Sequence, residues 1–144
     1  MLQELASQIM DDPRFTEEEL EEKIIQVFDL CHFIKTYKQS LNIVDYSHPI
    51  NLIEEDGVKK GIYFCDLLYN TRYSFDRWFY QQSNLKNIIN LLNIKELWFV
   101  LVVESFFDDD LTGSQEFIER NKINSLYDKV FYFNFSQSTI KILK

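Results

Sequence analysis

Leu97-Trp98-Phe99-Val100-Leu101-Val102-Val103 is an unbroken apolar run that leads directly into Glu104 and the acidic triplet Asp108-Asp109-Asp110. Aromatic, aliphatic and β-branched residues without polar alternation read as a strand covered on both faces, the pattern of a central strand in a parallel or mixed sheet. The carboxylates that follow stand at the C-terminal end of that strand, where open α/β sheets place their ligands.

The segments on either side supply neighbours for this strand. Upstream, Ile50 to Glu55 and Val58 to Cys65 flank Asp56-Gly57, the dipeptide suited to a two-residue type I′ hairpin turn. Downstream, Val130 to Phe135 and Thr139 to Leu143 read as two further strands joined by Ser136-Gln137-Ser138. Between them, Leu85, Ile88, Ile89 and Leu92 form one apolar stripe behind Ser83 as a cap. Phe117, Ile118 and Ile123 belong to a short helix capped by Thr112 or Ser114. Asp66 to Tyr80 holds Leu68, Phe75, Trp78 and Phe79 in a helix-like pattern. Strand, helix and strand from Leu97 to Phe135 make a βαβ unit, whose crossover sets the two strands parallel. The expected fold class is α/β, or α+β, with a mixed sheet of about four to five strands and flanking helices.

The N-terminal segment, 1–40, is helical. Thr16 with Glu19 forms a capping box, and Phe15 and Leu20 are spaced as a hydrophobic staple across the first turn. Leu20, Ile24, Val27, Phe28, Cys31 and Ile34 recur at helical spacing, with Glu17, Glu18, Glu21 and Glu22 toward the positive end of the helix dipole. A shorter helix, Leu2 to Met10, stops before Asp11-Asp12-Pro13. No repeat or low-complexity linker divides the 144 residues, so a single domain over 1–144 is expected.

Composition narrows the chemistry. At 46% hydrophobic and 16% aromatic the chain is too apolar for disorder, and with three Gly it contains neither GxxxxGK nor GxGxxG. Cys31 and Cys65 are isolated, without metal-ligand spacing, and are expected to be buried free thiols. The start, Met1-Leu-Gln-Glu-Leu-Ala6, has no basic or apolar leader pattern, and no run approaches the ~20 residues that span a bilayer. A cytoplasmic protein without membrane contact is therefore expected. A net charge of −8 disfavours direct nucleic-acid binding and favours a basic protein partner. The abundance of Asn, Ile, Phe and Lys fits an AT-rich bacterial or phage genome.

The acidic cluster is the constellation closest to chemistry. The spacing of Glu104 and Asp108 resembles the Glu-x-x-x-Asp that opens a toprim site, a likeness that implies carboxylates holding magnesium for phosphoryl transfer. A toprim site carries Gly after its Glu and Asp-x-Asp on the next strand. Ser105 and Asn134-Phe135-Ser136 stand in those places, which removes two carboxylates from a two-metal site. An Asp…Glu-x-Lys nuclease using Asp66 and Glu104 would have Phe106 where its Lys belongs. His32 and His48 have no Ser or Cys in a nucleophile setting and read as satisfied or surface histidines. No catalytic residue and no cofactor is expected, and Glu104 and Asp108 are the only metal candidates.

The remaining features fit an interaction role. Five acids fall within Glu17 to Glu22, and Asp108, Asp109 and Asp110 extend the negative field if the fold brings them near. Trp78 and Tyr80, within the aromatic segment Tyr69 to Tyr80, are candidate anchors. The expected function is an acidic protein-binding module, an inhibitor or immunity-type protein that neutralises a basic toxin or nuclease. The alternatives are a non-catalytic subunit of a multi-protein bacterial or phage assembly in defence or DNA maintenance, and a degenerate toprim-like metal-dependent phosphotransfer or nuclease domain.

Overall fold

The computed structural model describes residues 2–45, 50–66, 85–103, 110–120 and 122–144. In chain order the elements are α1 (Leu2–Met10), α2 (Glu17–Tyr37), β1 (Asn42–Asp45), β2 (Asn51–Glu55), β3 (Val58–Asp66), α3 (Leu85–Leu92), β4 (Glu96–Val103), α4 (Asp110–Arg120), α5 (Ile123–Leu126), β5 (Lys129–Asn134) and β6 (Thr139–Ile142). Among the described residues six strands form one mixed sheet in the order β1-β2-β3-β4-β5-β6. The three central strands are parallel, with Phe99 facing Tyr63 on one side and Val130 on the other. The outer pairs β1/β2, β2/β3 and β5/β6 are antiparallel.

The apolar run occupies the position its composition requires. Every residue from Leu97 to Val103 is buried between two hydrophobic layers. Leu97, Phe99 and Leu101 face Ile118, Ile123 and Tyr127, with Ile89 and Phe117 packed beside them. Trp98, Val100 and Val102 face Leu30, Phe33 and Ile34 of α2. The described helices of the two crossovers, α3, α4 and α5, thus lie on one face, and α2 covers the other. The sheet has one strand more than the expected upper count. β1 escapes sequence detection because its four residues, Asn42-Ile43-Val44-Asp45, sit at an edge with a break in register between Ile43 and Asp45.

Turn and cap chemistry follow the local sequence. Asp56 and Gly57 have φ of 52° and 79°, the pair of positive values a type I′ turn needs, and Glu55 pairs with Val58 across it. The Thr16 hydroxyl accepts a hydrogen bond from the Glu19 amide at 3.3 Å, and Phe15 and Leu20 both pack against the cluster of Ile9, Val27 and Cys31. α4 starts at Asp110, so Thr112 and Ser114 lie within the helix and do not cap it. Ser83, the aromatic segment Tyr69 to Tyr80 and His48 lie outside the described residues.

Burial along α2 departs from the single stripe read in the sequence. One set of residues, Val27 and Cys31 with Leu20 and Ile24, meets Ile9 of α1. A second, Leu30, Phe33 and Ile34 with Tyr37, meets the sheet. Phe28 falls outside both sets and is 44% exposed. The helix therefore buries more than half of its circumference and keeps one flank for solvent.

Thr16→Ala removes the acceptor for an orphan helix N–H and is expected to lower stability by about 1 kcal/mol in urea denaturation. An unchanged midpoint would contradict the cap. At Gly61, a Cβ would stand 2.7 Å from Ile50 Cγ2 and 3.1 Å from Leu97 Cδ1. Gly61→Ala is accordingly expected to cost roughly 1–3 kcal/mol through overpacking, measured as a drop in the same midpoint.

Candidate functional site

The solvent-facing flank of α2 is the surface on which acidic and apolar groups meet. Successive turns present Glu17, Glu18 and Glu21, all exposed, then Ile25 at 37% and Phe28 at 44% exposure, then His32 and the exposed Lys35. Glu22 belongs to the same helix. Negative charge collects where the helix dipole is positive, a favourable placement that holds these carboxylates without any partner from the sheet.

The apolar part of the flank is shaped from below by the end of β5. The Phe28 and Phe135 rings lie 5.4 Å apart, and the His32 ring sits 4.5 Å from Phe135 and 5.4 Å from Phe133, stacked on the latter. His32 Nε2 is 3.2 Å from the Ser138 hydroxyl, which ties α2 to the turn between β5 and β6. Burial first, and the Lys35 ammonium second, hold the His32 pKa below its ordinary value. The resulting surface is an aromatic patch with acids on its N-terminal side.

At the far end of α2 the charges are mutually paired. Lys38 and Lys60 bracket Glu55 at 2.8 and 3.3 Å, and Lys60 also reaches Glu96 at 3.1 Å. The hydrogen bond from Lys38 leads the causes that pull Glu55 down to about 2. Lys60 and Lys129 each place an ammonium 5.0 Å from the Trp98 ring centre. The Lys38–Glu55 pair fastens the helix C-terminus to β2, and the two Lys60 pairs join β2, β3 and β4.

One buried cation stands apart. Lys23 reaches from α2 to β2, where its amine donates to Asn51 Oδ1 at 2.7 Å, with the Asp45 carboxylate near enough to offset part of the desolvation. Burial pushes this amine down to about 7. Asn51 Nδ2 finds no acceptor among the described residues. Cys31 and Cys65 are buried thiols not joined in a disulfide, and burial raises the Cys31 thiol pKa.

Among the described residues no group of His, Cys, Asp and Glu is arranged to hold a metal ion, and no helix is long and apolar enough to cross a membrane. Glu104, Asp108, Asp109, Trp78 and Tyr80 lie outside the described residues, and Asp110 is the first residue of α4. The structure thus brings Glu17, Glu18 and Glu21 together and adds Ile25, Phe28 and Phe135 beside them. Sequence reading placed Phe28 in the buried stripe because it matches the helical apolar period, gave Ile25 no role, and read Phe135 only as the end of a strand. The unusual breadth of apolar positions around α2 was the available signal. The chain matches no protein-family model, and no curated protein and no solved structure matches it.

The Lys23 amine gives a signed pH dependence. Its folded-state pKa of about 7 lies below the unfolded value, so the unfolded chain binds the extra proton and stability rises with pH through the window between the two. The contribution approaches about 1.4 kcal/mol per pH unit between roughly pH 8 and 10. Urea midpoints of the native chain and of Lys23→Met, compared at neutral and alkaline pH, should lose that rise in the variant. Parallel pH profiles would contradict it.

Proposed function

We propose that this chain acts by binding another protein, as an inhibitor or immunity-type module that neutralises a basic toxin or nuclease. The observation that carries this reading is the flank of α2, where Glu17, Glu18 and Glu21 lead directly to the half-exposed Ile25 and Phe28. Carboxylates on a chain of net charge −8 accelerate encounter with a cationic surface, and an adjoining aromatic patch supplies the desolvated contact that slows release. Neutralisation needs no chemistry from this chain: covering the cationic surface by which a toxin or nuclease engages its target suffices.

Partners captured from the native host by the tagged chain are expected to be basic. With the purified partner, stopped-flow association should slow steeply as salt shortens the Debye length, about 8 Å at physiological strength. Replacing Glu17, Glu18 and Glu21 together by Gln should lower the association rate and flatten its salt dependence. Phe28→Ser should instead raise the dissociation rate while circular dichroism stays native. An association rate flat in salt, or a partner bound equally well by both variants, would overturn the proposal.

A further inference from the structure

The two edges of the sheet are finished differently. β1 breaks register between Ile43 and Asp45, a device that spoils an edge for further pairing, whereas β6 keeps regular register from Asn134↔Thr139 to Phe131↔Ile142. The Leu143 amide donates to Val130 O, so Thr139, Lys141 and Leu143 turn their backbone groups toward β5, and Ile140 and Ile142 turn theirs outward. Among the described residues no backbone hydrogen bond reaches those outward groups. Ile142 is 61% exposed, and no carboxylate among the described residues forms an ion pair with the exposed Lys141.

We propose that the outer edge of β6 is a strand-addition site for an extended segment of another protein that places a carboxylate opposite Lys141 between two apolar residues. Only another backbone can satisfy the spaced N–H and C=O groups of Ile140 and Ile142 together. Its residue facing Lys141 occupies the non-hydrogen-bonded pair, where cross-strand side chains stand closest and opposite charges attract. The same geometry disfavours a second copy in the register that uses both outward residues. Antiparallel self-pairing through both outward residues would set Lys141 against Lys141, two ammonium groups at the closest spacing. The lysine therefore rejects its own kind and selects an acidic strand, while neighbouring apolar side chains cover Ile142. This surface is separate from the acidic flank of α2, and neither proposal depends on the other.

The test is a titration of the ¹⁵N-labelled chain with the blocked peptide Thr-Ile-Glu-Ile-Thr and its counterpart with Lys at the centre. Amide shifts concentrated at Ile140 and Ile142, and a severalfold tighter response to the Glu peptide, are expected. Lys141→Glu should reverse the peptide preference. Ile142→Pro removes an outward donor while leaving the β5 ladder intact, so it should abolish the response in a folded chain. Shifts that are absent or lie elsewhere, equal response to both peptides, or an unaltered response in Ile142→Pro would overturn the proposal.

Discussion

The burial of β4 on both faces constrains everything else in this molecule. Leu97 to Val103 has no polar position to turn toward water, so each face must be covered and each edge must be paired. Parallel pairing with β3 and β5 satisfies the edges but demands crossovers, whose helices take up the face lined by Phe99 and Leu101. The opposite face, lined by Trp98, Val100 and Val102, is left to the N-terminal helix. That division explains why a long helix precedes the sheet in the chain.

Covering that face shapes α2 itself. The helix lies between the sheet and α1, and it buries Lys23 and Asp29 along with its apolar residues. Its remaining flank is narrow, and the residues on it run from carboxylates to aromatics to a lysine. The C-terminal end is held to β2 by the Lys38–Glu55 pair, and Glu55 is itself fixed by Lys60, so the helix cannot swing away from the sheet without breaking that attachment. Glu55 and Lys60 are largely covered and share their charges, so removing one would strand the other at the base of the sheet where the helix end is attached. A surface fixed in this way is pre-organised for recognition.

The parts of this architecture that were legible in the sequence are those governed by local rules. The buried strand announced itself by seven apolar residues, the hairpin by Asp56-Gly57, and the start of α2 by Thr16 with Glu19. β1 was not legible, since four residues with a register break carry no alternating pattern. The start of α4 was also misplaced, because Thr112 and Ser114 favour caps by propensity and yet sit within the helix. For the candidate site, the acids of α2 could be read directly. The adjoining patch could not, since whether Phe28 is core or surface depends on where α1 and β5 pack, and no helical period encodes that. Lys23 was hidden for the same reason: its burial is a tertiary fact.

The most direct test of the claim that β4 anchors the fold is native-state amide hydrogen exchange, resolved by residue. Phe99 to Val103, with their partners Tyr63 to Cys65 and Phe131 to Phe133, are predicted to exchange only through global unfolding, with the Leu30 to Ile34 turn of α2 close behind and β6 faster. Amides of β4 that exchange through local opening, as fast as those of β6, would contradict the account.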